Sequence, residues 1–404
     1  MRILVVCQHY WPEPFNTSDV CECLAARGHE VTVLTALPNA GMPGGEVPAE
    51  YRDEACRNSC RNGVRVIRVP LAPRRTGAIN RIKNYLSFWA NANKAATALP
   101  DDYDVVLGYQ LSPVMQVDPG LVYARKHKKK MLLYCLDLWP VSLTAGGIPE
   151  KSLPYRWMRS VSRRIYSQAD RIAVTSPLFD EYFRNELGLA ISDSAYVPQY
   201  AEDTFLEDAE PSTDGFDPEK INLTFAGNVG KAQSVSTIVN AAALLKNRAD
   251  IVFHIVGSGS DLDHCLALSK QLGTNNVIFH GRKPVEQMPS YYAASDAMLV
   301  TFEESPMAEY TLPRKVTTYM AAGKPVIAAA SGETKRVIEA ADCGVCCGVE
   351  DAKGLAHICA QFTDQATASH QMGAAARAYY REHFTKERFL DDVERLLKEL
   401  CEGN

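Results

Sequence analysis

The chain has 404 residues, of which 46% are hydrophobic and 23% charged. At roughly 150 residues per domain this length makes two or three domains, and the composition excludes disorder as the main state. The net charge of −5 argues against a nucleic-acid partner. It hides an asymmetry, because residues 1–200 carry 24 Lys/Arg against 19 Asp/Glu and residues 201–404 carry 19 against 29.

Short apolar runs alternate with helically spaced segments. Val/Ile/Leu-rich runs fall at 3–7, 30–35, 64–69, 104–109, 131–136 and 171–175. Ser18–Arg27 and Asn80–Leu99 have helical spacing and stop at Gly28 and Pro100. Unbroken apolar strands joined by helices predict a parallel sheet covered on both faces. The alternation restarts with Ile221–Ala226, Ile251–Val256, Asn276–His280, Ala297–Thr301, Val326–Ala329 and Gly344–Cys347. The polar, acidic stretch Ala201–Lys220 reads as a linker. The expected architecture is α/β: two doubly wound, Rossmann-like domains facing across a cleft. Their boundaries are 1–200 and 201–375, with helices over 376–404 packing back on the first domain. Leu390, Val393, Leu396, Leu397 and Leu400 form the apolar face of the last helix.

The twelve cysteines are dispersed. Neither Cys56 and Cys60 nor Cys343, Cys346 and Cys347 have a second ligand pair at zinc spacing, so reduced thiols and no metal are expected. The run Met1–Cys7 is short and meets Gln8–Pro12 without a small-residue cleavage site, unlike a signal peptide. No run reaches the 18 or so apolar residues of a membrane helix. A cytoplasmic protein, peripheral at most to a membrane, is expected.

Ligands of open α/β sheets bind at the carboxyl ends of the strands. In the second half, successive strands run into Gly227-Asn228-Val229-Gly230-Lys231, Gly257-Ser258-Gly259 and Gly281-Arg282-Lys283. Such loops either turn tightly or bring backbone N–H groups and a cation to a phosphate. The next loop, 302–315, ends in Leu312-Pro313-Arg314-Lys315, with Pro313 at the start of a helix. Its dipole and cations suit a departing diphosphate, although a solvated charged loop would read the same way. In the first half, Asp137 ends a strand. It could deprotonate an acceptor hydroxyl or cap the next segment. Asp102-Tyr103-Asp104 precedes its strand and reads as an acidic turn. Three basic runs are interleaved with or close to apolar residues: Arg74, Arg75, Arg81, Lys83 and Lys94; Arg125, Lys126 and Lys128–Lys130; and Arg156, Arg159, Arg163 and Arg164 beside Trp157. They suit either a solvated face or an anionic membrane surface.

Leu312-Pro313-Arg314-Lys315 followed by Tyr319-Met320-Ala321-Ala322-Gly323-Lys324-Pro325 resembles the donor-site segment of glycosyltransferase family 4, retaining enzymes of the GT-B fold. Arg27–Thr35, Thr224–Gly230 and Ala294–Ala297 agree with it, so the likeness runs along nearly the whole chain. Asp137-Leu138-Trp139-Pro140 is similar to a branch of fucosamine-type transferases of surface-polysaccharide synthesis. The resemblance implies a UDP-sugar donor, N-acetylated or deoxyamino. It also implies a lipid-diphosphate-linked saccharide acceptor, retention, and no cofactor beyond the sugar nucleotide. The glycine loops and the resemblance together put candidate donor contacts at Gly227, Asn228, Gly230, Lys231, Gly257, Gly259, Arg282, Glu309, Leu312, Pro313 and Thr318, with Lys231, Arg282 and Lys315 as candidates for the phosphate charge and Glu309 as a candidate sugar contact. Catalytic roles fall to Asp137 and Lys315, and His9, Glu13 and Asn16 lie in a loop facing phosphate or acceptor. The chain departs from the family where a Glu-x7-Glu motif falls on Tyr310 and Thr318, and where a phosphate-gripping Arg and Lys fall on Asn228 and Gln233. A non-catalytic sugar-nucleotide-binding protein and a sugar-nucleotide epimerase of the same fold are the competing readings.

Overall fold

A computed structural model describes residues 1–53, 57–75, 77–191, 194–363 and 366–403; Cys56 lies outside them. The chain divides into two compact units, Met1–Val197 with Leu390–Asn404, and Pro198–Phe389.

The first unit contains the strands β1 (Arg2–Val6), β2 (Glu30–Ala36), β3 (Asn58–Arg61), β4 (Val64–Val69), β5 (Val105–Gln110), β6 (Lys130–Cys135), β7 (Arg171–Val174) and β8 (Ala195–Tyr196). Their order in the sheet is β3-β4-β2-β1-β5-β6-β7-β8. The inner strands are parallel and almost wholly buried, since helices cover both faces. The helices are α1 (Thr17–Ala26), α2 (Ala78–Ala98), α3 (Asp118–His127), α4 (Leu153–Gln168) and α5 (Phe179–Asn185). In α1 the buried residues Thr17, Val20, Cys21 and Leu24 follow the i, i+3, i+4, i+7 stripe. The chain leaves the helix through Gly28 at φ +90°.

One edge strand was not anticipated. The polar strand β3 pairs antiparallel with β4 through Asn62 and Gly63, both at positive φ. This is the turn chemistry that favours a tight hairpin. The strand β8, two residues long, was also unforeseen.

The second unit's strands are β9 (Ile221–Ala226), β10 (Ile251–Val256), β11 (Val277–Gly281), β12 (Ala297–Thr301), β13 (Val326–Ala329) and β14 (Gly344–Cys347). They form a parallel sheet in the order β11-β10-β9-β12-β13-β14. Its helices are α6 (Val235–Leu244), α7 (Leu262–Leu272), α8 (Met288–Ala293), α9 (Pro306–Tyr310), α10 (Arg314–Ala321), α11 (Gly332–Ala340), α12 (Ala352–Thr363) and α13 (Ala366–His383). A last helix, α14 (Lys386–Glu402), begins in this unit and runs for most of its length in the first. There Leu390, Val393, Leu396 and Leu397 are buried. Arg27 meets Asp391 at 2.6 Å and Glu394 at 3.1 Å.

Both units are thus doubly wound α/β structures. Strand order reverses direction between β1 and β5 in one unit and between β9 and β12 in the other. Those are the switch points at which open sheets bind ligands.

The segment read as a linker is packed. Ala201 and Phe205 belong to the second unit's core. Phe216 stacks on His254 with centroids 3.9 Å apart. Asp214 accepts from Lys283 at 2.8 Å and from Tyr291 at 2.6 Å, which holds its carboxyl well below the usual range. The described cysteines are all free thiols. No helix among the described residues is long and apolar enough to cross a membrane.

Candidate active site

The loops after β9, β10 and β12 converge at the second unit's switch point. Gly227, at φ +139°, and Gly257, at φ +149°, stand where two loops touch: a Cβ on Gly257 would lie 1.8 Å from the Gly227 carbonyl oxygen. The Val229 N–H donates to Ser258 O at 3.0 Å, and Asp261 N–H to Val229 O at 2.9 Å. Gly230 and Gly259 lie in the same contact, beside Asn228 and Val229. Close loop-to-loop packing therefore accounts for part of this glycine pattern. Gly227 and Asn228 remain exposed. On the other side, Thr301 donates its hydroxyl to Gln233 O at 2.5 Å, and Glu303 N–H donates to Ala232 O at 3.1 Å.

Lys315 enters from the first turn of α10. Its Nζ donates to Gln233 Oε1 at 2.7 Å and lies 4.1 Å from the centroid of the buried Phe225 ring. A Cβ on Gly227 would lie only 3.4 Å from that Nζ, so glycine leaves the ammonium space at the loop. Among the described residues no carboxylate pairs with Lys315. Burial pulls its pKa from 10.5 down to about 7. Tyr319, one helical turn on, donates to Ala226 O at 2.9 Å and accepts from Ala226 N–H at 3.1 Å, which fixes the end of β9 against α10. Gln233 and Phe225 were not among the predicted site residues. The signal for Gln233 lay in its position where the family carries a cation.

Several predicted donor residues sit differently. Leu312 is buried in the core, so its side chain is not offered to a ligand. Thr318 is buried, and its hydroxyl donates to Arg314 O at 3.0 Å within the helix. The hydroxyl is therefore occupied within the helix rather than offered to a ribose. Pro313 is the N-cap of α10. Arg314 turns away from the loops, bonding Tyr200 O at 3.2 Å and the Glu202 carboxylate. Lys231 is exposed and pairs with Glu303 at 3.3 Å. Arg282 and Glu309 are exposed. A crevice of about 570 Å³ beside Gly323 and Lys324, lined also by Phe205 and Arg377, holds none of the predicted residues.

In the first unit Asp137 follows β6 and is half-buried. Ser112, from the loop after β5, donates its hydroxyl to Asp137 Oδ2 at 2.7 Å and accepts from Trp139 Nε1 at 3.1 Å. Gln110 Nε2 donates to Asp137 O at 2.7 Å. Burial raises the Asp137 carboxyl above the ordinary aspartate value, and the Ser112 bond opposes that rise. Asp137 caps no helix, because the next turn starts at Val141 with Pro140 as its cap. His9 and Glu13 are buried and face each other at 2.9 Å. They are not available to a ligand as direct contacts. Asn16 is the N-cap residue of α1 without a side-chain capping bond.

Comparisons with known proteins bear on the family and the fold. Residues 207–379 match the family described as glycosyl transferases group 1, and residues 16–198 match the glycosyl transferase 4-like domain. The chain belongs to the GT-B glycosyltransferases. It is 28% identical over 309 residues, 73% of this chain and 76% of the other, to WbjE of Pseudomonas aeruginosa, described as a probable glycosyltransferase. It is 25% identical over 353 residues, 83% of this chain and 84% of the other, to WcaI of Escherichia coli strain K12, named provisionally as a colanic acid biosynthesis glycosyl transferase. The structure of Anabaena HepE in complex with UDP covers 99% of this chain and 100% of its own, with a TM-score of 0.73 at 14% identity.

As a glycosyltransferase the chain carries its basic runs unevenly. Lys129 pairs with Asp101 at 3.1 Å, Lys130 with Asp170 at 3.0 Å, and Arg164 with Asp118 at 2.8 Å. Those cations are engaged with their own unit. By contrast α2 exposes Ile79, Ile82 and Leu86 on one stripe beside the exposed Arg81 and Lys83, and α4 exposes Leu153 and Trp157 beside Arg156.

Two outcomes follow from these protonation states. The Lys315 pKa is lowered on folding, so between about 7 and 10.5 the unfolded chain binds the extra proton. Folding stability should therefore rise with pH across that window. Lys315→Met should flatten this slope and stabilise the protein at pH 7 by at least about 1 kcal/mol, measured by urea denaturation at several pH values. Ser112→Ala removes the bond that opposes the raised Asp137 pKa. If Asp137 acts as a base, the acid limb of kcat/KM moves to higher pH; an unmoved limb assigns it to another group.

Proposed function

We propose that this glycosyltransferase moves a sugar from a UDP-sugar, N-acetylated or deoxyamino, to a lipid-diphosphate-linked saccharide with retention, in surface-polysaccharide synthesis. The observation that carries the donor side is the half-buried Lys315 ammonium, without a carboxylate partner among the described residues, beside the exposed loop at Gly227. A diphosphate there would complete its charge pairing. The first turn of α10 adds its dipole, and the leaving group would be stabilised by fixed groups already in place. UDP in the HepE structure supports the nucleotide, the name of WbjE supports the glycosyl transfer, and the colanic acid biosynthesis in the name of WcaI supports the pathway class.

Asp137 is the residue proposed to act on the acceptor hydroxyl, because it follows the carboxyl end of β6, is held by Ser112, and burial raises its carboxyl above the ordinary aspartate value, which makes it a stronger base. The reaction needs no metal in this reading, since Lys315 and helix dipole meet the developing charge. With Leu312 and Thr318 turned inward, contacts to donor ribose and sugar would come from backbone groups of the 302–313 loop and from Glu309. The apolar and basic stripe of α2 and α4 supports docking on an anionic membrane, where a lipid-linked acceptor resides.

The test is UDP release from a panel of UDP-sugars, with prenyl-diphosphate saccharides in anionic or neutral vesicles as acceptors. One donor should turn over, faster on anionic vesicles, and the double variant Arg81→Glu, Lys83→Glu should lose that difference. Tight UDP binding without release from any donor would contradict the transfer, and equal rates on both vesicles would contradict the surface.

A further inference from the structure

A buried chain of polar groups at the carboxyl ends of β1, β2 and β4 has no part in the chemistry above. Its root is Glu13. Glu13 Oε1 accepts from the backbone N–H of Asn39 at 2.7 Å and of Ala40 at 2.6 Å. Glu13 Oε2 faces His9 Nδ1 at 2.9 Å, with both side chains at most 2% exposed. The His9 ring is also stacked on Phe15, with centroids 4.7 Å apart.

These contacts assign the imidazole's proton. A carboxylate only accepts, so His9 Nδ1 carries the hydrogen and Nε2 offers a lone pair. That lone pair faces Arg74 Nη1 at 3.3 Å. The guanidinium also lies 5.7 Å from the Tyr85 ring centroid. The Arg74 backbone N–H donates to Gly45 O at 2.9 Å, and a Cβ on Gly45, at φ +66°, would lie 2.1 Å from Arg74 O. Arg74 is therefore held by its backbone, by an oriented imidazole and by an aromatic ring. Yet among the described residues no carboxylate pairs with it, whereas its neighbour Arg75 pairs with Glu46 at 2.7 Å. Arg74 is only half-buried, and a guanidinium with N–H groups to spare is a planar fork suited to phosphate oxygens.

We propose that Arg74 is a diphosphate-binding residue of the first unit, with His9 and Glu13 as positioning residues behind it. The inference rests on the proposed reaction only for the choice of diphosphate, which both the UDP-sugar and the lipid-linked acceptor carry. It replaces the expectation that His9 and Glu13 meet the ligand themselves. Their part is to hold one guanidinium edge so that the other edge stays fixed without a competing anion.

The experiment is calorimetric titration of the full chain with two probes, UDP and geranyl diphosphate. Arg74→Gln should weaken at least one of them by about tenfold or more. A loss confined to geranyl diphosphate assigns Arg74 to the acceptor, and a loss confined to UDP assigns it to the donor; either supports the proposal. Unchanged affinity for both, or no binding of either by the wild-type chain, overturns it. His9→Phe should weaken the same probe, and should have no further effect in the Arg74→Gln background. An equal effect in both backgrounds overturns the positioning role. Glu13→Gln, which keeps an acceptor oxygen, serves the same comparison should His9→Phe fail to fold. Normal turnover by Arg74→Gln with unchanged KM for both substrates leaves the reaction standing and removes Arg74 from it. Loss of probe binding in a chain with no transferase turnover does the reverse.

Discussion

The ammonium of Lys315 sits half inside the second unit with a glutamine oxygen, an aromatic face and, among the described residues, no carboxylate partner. Burying a charge without a partner costs enough to pull its pKa toward neutrality. Much of the local structure is arranged around that arrangement. Gly227 leaves the space above Nζ open, Gln233 turns its oxygen inward, and Tyr319 ties the end of β9 to α10. A site of this kind is unfavourable when empty and is relieved by an anion. That is the condition under which a cation contributes most to binding a diphosphate and stabilising its departure.

The first unit uses a different device. Its carboxylates are already matched: Glu13 by two backbone N–H groups and His9, Asp137 by Ser112. Matched buried groups hold position at little energetic risk. Glu13 serves to orient neighbours, while Asp137, raised by burial, keeps the capacity to take a proton. The two units therefore divide the task by electrostatic state: in one, a cation that among the described residues meets no carboxylate; in the other, oriented acids.

The strands were legible because parallel strands buried on both faces read as unbroken apolar runs, as Ile251–Val256 does. The strand β3 was not, because Asn58-Ser59-Cys60-Arg61 is polar and mostly exposed; only Asn62-Gly63 signalled it. Ala201–Lys220 looked like a linker because its polar residues outnumber its anchors, yet Phe205 and Phe216 bind it to the second unit. At the site, a motif fixes position along the chain but not which way a side chain turns. Lys315 and Thr318 lie one turn apart on α10, yet one reaches Gly227 and the other bonds its own helix. Gln233 is 82 residues from Lys315, a pairing that only the fold creates. His9 and Glu13 looked available because they lie in a loop, and the fold turned them toward each other.

The central claim is that the Lys315 ammonium finds its counter-charge in the donor diphosphate. Proton uptake on UDP binding at pH 8 measures this directly, by calorimetry in buffers of different ionisation enthalpy. With a pKa of about 7 the empty side chain is mostly neutral at that pH, and a bound diphosphate should recharge it. The wild-type chain should take up nearly one proton and Lys315→Met almost none. Equal uptake by the two proteins, or none by either, would contradict it.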